Sequence, residues 1–551
     1  MTMGAPDLIL HSGQVRTDDG WAEAMAISGG VIERVGTNAE VRELAGEGCR
    51  LIDLGGRVVL PGLHDLHVHP IYAGVRQSRC RIPQGSNLEE TLRIVAAAAA
   101  DAKPGDWVLG GQWDASALGG TPNRAMLDSV APEIPVVLED TSGHSAWANS
   151  AALRLGGITA ETPDPEDGIF ERDDRGEPTG ILRETAAYLM AECAPKPSQA
   201  DVELGLAWSL EQMLSFGITS FTEAALGFTA GARTEMRAYH ALATRGVIKQ
   251  RIRISITWEP SDQEQLDVIA ERNFYSFGRM KTDGIKIFLD GVPTDGHTAA
   301  MLQPYADTVE GRDDDASRHG MLRVDPDLLN ETVANFDRLG LTVKFHAAGD
   351  AAVRAGLDAI EFARQRNGDG PQMHNVGHCT FVSKEDIARA RRIGATLEVS
   401  PYLWQPAPIC SDIAAAVGPE LITRVWPVRE MLDGGALVVA GSDWSVVPSV
   451  NPWVGIETLV TRREPGGSAE SFGPAEAVTI EEALDIFTVN AARQEGEADR
   501  IGRIAEGLIA DVIVVDQNPL TVSPDRIHAT RVEMTIIEGE IVFDRAAVGE
   551  V

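Results

Sequence analysis

The 551-residue chain is poor in cysteine, and its five thiols, Cys49, Cys80, Cys193, Cys379 and Cys410, are scattered with no Cys-x-x-Cys pair. That pattern suggests neither a disulfide framework nor a zinc-thiolate site and fits reduced thiols. Long apolar runs are also missing: the Ala96–Ala100 stretch is far short of the roughly 18 residues of a membrane span. The opening Met-Thr-Met-Gly-Ala-Pro-Asp has no basic region followed by an apolar one. A cytoplasmic location is therefore expected. Positive charge is scarce, with Lys+Arg 48 against Asp+Glu 82 and a net charge of −34. Such a field repels nucleic acid and anionic membrane surfaces, so neither is an expected partner. No Gly-x-Ser-x-Gly elbow points to serine hydrolysis, and no Gly-rich phosphate loop follows a strand.

What remains is an ordinary soluble composition, 44% hydrophobic and 24% charged, in a chain too long for one simple core. From Asp7 to about Gly56, short apolar segments alternate with glycine turns. Ala510–Asp516 and Met534–Val542 read the same way at the far end. Neither end alone is large enough to close a core, so the two are expected to pair into one β-sandwich, residues 1–58 with 496–551. Between them, strand-like runs separated by helical segments have the pattern of a parallel α/β sheet. The run Val58-Val59-Leu60, leading to His69, reads as the first strand. Segments at 217–222, 253–258, 284–289, 341–346, 375–378, 395–400 and 436–443 bring the number to about eight, which closes a TIM-like (β/α)8 barrel over residues 59–495. The long gap after the first strand requires an insertion, about 75–210, expected to cover the active site.

The chemistry gathers at the strand ends. In Leu60-Pro61-Gly62-Leu63-His64-Asp65-Leu66-His67-Val68-His69-Pro70, period-two alternation puts Asp65, His67 and His69 on one face. Two imidazoles so placed can reach one metal ion at about 2.0–2.1 Å. His346 ends the fifth strand, His378 the sixth and Asp443 the eighth, all ligand types suited to zinc, manganese or iron(II). The chain has only 12 histidines, so four at strand ends exceeds a scatter. Lys286, one of seven lysines, interrupts an apolar strand where charge is costly unless paired, neutral or altered.

Several motifs carry a resemblance: Pro-Gly-Leu-x-Asp-x-His-x-His, Gly-Ile-Lys-Ile-Phe-Leu-Asp-Gly, Phe-His-Ala-Ala-Gly-Asp, Gly-His-Cys-Thr, Gly-Ser-Asp-Trp and Ile-Gly-Arg-Ile-Ala-Glu-Gly-Leu-Ile-Ala-Asp. So do Pro104-Gly105-Asp106-Trp107 and Gly143-His144-Ser145-Ala146-Trp147-Ala148-Asn149-Ser150. Together they resemble the amidohydrolase superfamily of metal-dependent hydrolases, particularly its long branch of imidazolonepropionase-like and N-substituted-formamide-deformylase-like proteins. The resemblance implies two divalent metal ions, zinc first with manganese or iron as alternatives. His67 and His69 would bind one ion, which Asp443 completes, and His346 and His378 the other, with carbamylated Lys286 bridging both. It implies cleavage of a C–N bond by a metal-activated water, with Asp443 moving the proton.

This chain departs from that branch in places. His64 stands where an apolar residue is usual and, on the opposite strand face, is expected to be a packed, hydrogen-bonded histidine. Gly377-His378-Cys379-Thr380 replaces the more frequent Glu-His-x-Gln, which leaves the ligand but alters its support. His297 is either a substrate contact or a solvated loop residue, and His144 either a substrate contact or part of a helix start. Trp113 and Trp444, with Trp107, Trp147, Phe170, Tyr402 and Trp404, could line an apolar pocket or sit in cores. The expected substrate is a small N-substituted amide of formamide, N-acyl, carbamate or lactam type, with a homo-oligomer, a dimer, left open. Two other readings stay open, a mononuclear deaminase of the same superfamily and a non-catalytic, metal-binding regulatory barrel. The first lacks the glutamate three residues after His346 and leaves Lys286 without a task; the second does not explain an intact Asp443.

Overall fold

The computed structural model describes residues 5–77, 79–83, 85–103, 105–140, 145–165, 168–294, 297–306, 318–404 and 408–548. They fall into two compact units, Met1–Pro70 with Ala207–Val551, and Ile71–Leu206. In the first unit, Leu63–Val68, Ile218–Leu226, Arg251–Thr257, Met280–Phe288, Thr342–Ala347, Asn375–His378, Thr396–Val399 and Leu437–Ala440 form one eight-stranded sheet in chain order. Every neighbouring pair is parallel. The first and second of these strands are buried along their whole length, as parallel strands covered on both faces are.

The sheet is an all but closed barrel. Its first and last strands meet just beyond their C-terminal ends, where Asp443 N–H donates to the His67 carbonyl at 2.6 Å and His69 N–H to the Trp444 carbonyl at 2.7 Å. Helices fill the crossovers, and Lys384–Ile393 shows why they form where they do. Ser383 caps its start by accepting from Asp386 N–H, Glu385 and Asp386 sit in the first turn and Arg391 and Arg392 in the last, and Gly394 ends it at φ +67°. Among the described residues no helix is long and apolar enough to cross a membrane.

Two more sheets belong to this unit. A four-stranded one runs in the order Val31–Gly36, Ala24–Ser28, Leu8–His11, Arg50–Asp53. The other is six-stranded, in the order Glu540–Asp544, Val532–Ile537, Val512–Val515, Val58–Pro61, Gln14–Thr17, Gly20–Ala22, so strands from both chain ends share it. Leu8, Leu10, Met25, Ile27 and Ile32 from one sheet and Val15, Val59, Val512, Val514 and Ile536 from the other meet in a single apolar core. Here the sequence reading needs correction. Val58-Val59-Leu60 does not open the barrel strand; Val58–Pro61 pairs antiparallel with Val512–Val515 and parallel with Gln14–Thr17. The changeover between sheets is Gly62, whose N–H donates to the Asp511 carbonyl at 2.9 Å.

The second unit holds a six-stranded sheet in the order Gly168–Arg172, Pro178–Glu184, Ser145–Ala148, Val136–Asp140, Val108–Trp113, Cys80–Arg81. Val136 and Leu138 point into one core with Val108, Leu127 and Trp147, while Val137 points into another with Leu153, Phe170 and Met190, as strand alternation requires. Trp113 lies in the first of these cores instead of lining a pocket. It is 4% exposed, packs edge-on to Trp147 at 6.3 Å and donates its indole N–H to the Leu138 carbonyl at 2.9 Å. Its one polar atom is satisfied and its ring enclosed.

Gly62 has no room for a side chain, since an added Cβ would lie 2.2 Å from Thr219 Oγ1. Gly62→Ala should therefore destabilise the protein by about 1–3 kcal/mol through overpacking. Thermal unfolding would show a lowered midpoint, partly restored by Thr219→Ala in the same chain; an unchanged midpoint for Gly62→Ala would contradict this close approach.

Candidate metal centre

The barrel strands carry the ligand-type residues to one end. His67 and Asp443 are joined by the backbone bond that closes the barrel, and their side chains follow: Asp443 Oδ1 lies 3.7 Å from His67 Nε2 and 3.3 Å from His69 Nε2. One ligand atom from each of His67, His69 and Asp443 can be chosen so that all three lie within 4.8 Å of one another. His378 adjoins this group, its ring centroid 4.7 Å from that of His67 and 4.3 Å from that of His346. Lys286 is buried close by, its Nζ 4.9 Å from the Phe288 ring. Asp443 and His378 have φ of +61° and +70°. Such backbone is unusual outside glycine and clusters at functional sites.

Three of the four ligand-type histidines, His67, His69 and His346, have a carboxylate beside Nδ1. His67 Nδ1 lies 2.5 Å from Glu398 Oε1, His346 Nδ1 3.0 Å from Asp290 Oδ1, and His69 Nδ1 3.6 Å from Glu223 Oε1. Asp290 also accepts from the backbone N–H of Ala300, Ala348 and Gly349 at 2.8–3.0 Å, and Glu223 from the Tyr239 hydroxyl at 2.8 Å. A carboxylate on one ring nitrogen fixes the proton there and turns the other nitrogen's lone pair toward a metal. Asp65, buried beneath the pair, accepts from Ser442 N–H at 2.9 Å and His67 N–H at 3.2 Å.

Two of the histidines, His67 and His378, are held in the neutral form that a ligand needs. Burial, followed by the charges of Lys286 and Lys344, holds His67 well below the usual imidazole range. Burial and the neighbouring His346 do the same for His378. Burial also works against protonated His69, but Asp443 and Glu223 outweigh it and raise the ring to about 9. Burial, reinforced by Lys344, brings Lys286 down to about 7, and burial lifts Asp65 to about 7 against its hydrogen bonds. Among the described residues of the centre, the buried His378 Nε2 has no hydrogen-bond partner. Buried polar atoms normally find one, so an orphan nitrogen beside His67 and His346 fits a cation-binding centre.

The remaining candidates lie elsewhere or have other duties. His64 Nδ1–H donates to Glu495 Oε2 at 2.9 Å, and the same carboxylate accepts from Ser220. It is the packed histidine expected. His297 is buried, not solvated, and stacks on Tyr305 with centroids 4.1 Å apart; Asp295 and Gly296 beside it lie outside the described residues. Trp444 is buried against Trp208 at 5.8 Å and holds His69 through its carbonyl. His144 and Pro104 also lie outside the described residues. Glu398, Asp290 and Glu223 had no role in the sequence reading. Glu398 shows the same signal as Lys286, a charge inside an apolar strand, and Asp290 follows Lys286 by four positions in a segment already singled out.

Residues 50–543 match the Amidohydrolase family. YtcJ of Bacillus subtilis (strain 168) is 29% identical over 98% of this chain and 99% of its own. The N-substituted formamide deformylase of Arthrobacter pascens is 29% identical over 98% of each chain. Among solved structures, an uncharacterized metal-dependent hydrolase from Pyrococcus horikoshii OT3 shares the fold, with a TM-score of 0.76 at 22% identity over 94% of this chain and 99% of that one. The family match spans most of the chain and includes every ligand-type residue of the barrel end: the chain belongs to the amidohydrolase family.

Proposed function

We propose that this protein is a binuclear metal-dependent hydrolase that cleaves the C–N bond of a small, neutral N-substituted amide. The observation that carries the reading is the position of Asp443. A proton-shuttling carboxylate must be within hydrogen-bond reach of the reacting atoms, and Asp443 sits 3.3 Å from His69 Nε2 at the heart of the ligand cluster. His67, His69 and Asp443 would hold one divalent ion, zinc first, and His346 and His378 a second, with Lys286 as a carbamate between them. When bound, such ions acidify a water molecule and polarise a carbonyl oxygen. Asp443 then accepts the water's proton as the water attacks the amide carbon, and returns it to the departing nitrogen. Lys286, brought to about 7, is partly the neutral amine that reacts with carbon dioxide at physiological pH.

The two terminal sheets serve as a composite β-sandwich. The protein works in the cytoplasm on a small molecule, as a homodimer, without nucleic-acid or membrane partners. The deformylase likeness supports a formamide among the candidate amides. A mononuclear deaminase is the second reading, favoured by the fact that, among the described residues, the group with ligand atoms all within 4.8 Å of one another is His67, His69 and Asp443.

Metal content decides between them. Protein purified without chelator should carry about two divalent ions per chain, and one would return the deaminase reading. Asp443→Asn should cut kcat on an amide substrate by about 10²–10⁴-fold while the protein still takes up metal, and undiminished turnover would remove the proton shuttle. Lys286→Ala should lose one ion and regain part of its activity with propionate; full metal occupancy and no response to the acid would contradict the carbamate.

A further inference from the structure

The barrel interior contains a second buried lysine for which the chemistry above has no use. Lys344, on the fifth strand, is 3% exposed, two residues before His346 and on the same strand face. Its Nζ donates to Glu398 Oε2 and approaches Asn375 Oδ1 at 3.4 Å. Asn375 Nδ2 donates to the same Oε2 at 3.0 Å. Both donors thus occupy one oxygen of Glu398, and the other, Oε1, is the one that faces His67 Nδ1 at 2.5 Å. Glu398 is wholly enclosed, so no water competes for either oxygen. Gly377 makes the approach possible: a Cβ there would lie 3.2 Å from Glu398 Oε1, 3.6 Å from His67 Nδ1 and 2.7 Å from the Phe345 carbonyl.

We propose that Lys344 is a positioning residue of the metal centre, acting through Glu398 to fix the tautomer and orientation in which His67 presents Nε2 to the ion. This rests on the metal-centre reading above. Isolated burial of a lysine or a glutamate would cost several kcal/mol. Paired on Oε2, the two form a rigid strut across three strands, from Lys344 on the fifth through Asn375 on the sixth to Glu398 on the seventh. With Oε2 committed, the carboxylate has one acceptor left, and it is aimed at Nδ1–H. Removing the ammonium leaves Oε2 held by Asn375 alone, without the opposite charge, and so loosens the carboxylate that fixes the His67 proton. Partners of this kind are worth about 10–100-fold in metal affinity.

The test compares the wild type with Lys344→Met, and with Glu398→Gln as the isosteric variant that keeps the core filled should the first not fold. Zinc affinity of the apoprotein is measured by competition with a chromogenic chelator, and the His67 Nδ1–H resonance is followed by 15N NMR of the apoprotein. Each variant should bind zinc about 10–100-fold more weakly and lose or shift that resonance. A lowered thermal midpoint with zinc affinity and resonance both unchanged would make Lys344 a packing residue and overturn the proposal. No zinc uptake by the wild type would overturn the metal-centre reading and this inference with it.

Discussion

The seam between the first and eighth barrel strands is the constraint on which the rest depends. Two backbone bonds, Asp443 N–H to His67 O and His69 N–H to Trp444 O, close the barrel at the end that carries the ligands. The same residues supply the three side chains whose ligand atoms lie within 4.8 Å. Closure of the sheet and assembly of the centre are therefore one event: a barrel that opened at this seam would lose Asp443 from the two histidines. Asp65 reinforces the seam from below by accepting from both His67 and Ser442.

Around that seam the barrel tolerates an unusual density of buried charge. Lys286, Lys344, Glu223, Glu398, Asp65 and Asp290 are all nearly inaccessible, in an environment where each alone would be costly. Four of the six, Lys344, Glu223, Glu398 and Asp290, are satisfied by named partners at short range; Asp65 accepts through Oδ1 alone, and Lys286 has the Phe288 ring for company. The polar interior is thus a connected scaffold, and its members are coupled. A change at Lys344 is felt at Glu398, His67 and Lys286 together, so mutational effects within this group will not add.

Much of this was legible in the residues because two rare signals coincide. Histidine is scarce enough that His67, His69, His346 and His378 at strand ends stood out, and strands buried on both faces leave apolar runs that can be counted. The eight strands occur in the expected order for that reason. The carboxylates that hold the histidines were not legible. With 82 acidic residues in the chain, Glu398 and Asp290 carry no rarity, and their partners are set by pairings across the sheet. Val58-Val59-Leu60 was misassigned for a related reason: an apolar run does not say which sheet it joins, and only its distant partner Val512–Val515 decides that. Aromatic residues were ambiguous from the start, since Trp113 in a core and a pocket tryptophan have the same sequence neighbourhood.

That distant pairing has a consequence for how the protein is made. Val58–Pro61 lies one residue before the barrel's first strand, yet its antiparallel neighbour is Val512–Val515, some 450 residues later in the chain. Ribosomes add about 5–20 residues per second, so the neighbour is synthesised roughly 20–90 s after the strand it must flank. The eighth barrel strand also comes late. During most of translation His67 and His69 are on a strand with an unfilled edge on one side and an incomplete sheet on the other. The seam, and with it the centre, can close only once Asp443 and Trp444 have been made, and the flanking Val58–Pro61 gains its antiparallel neighbour later still.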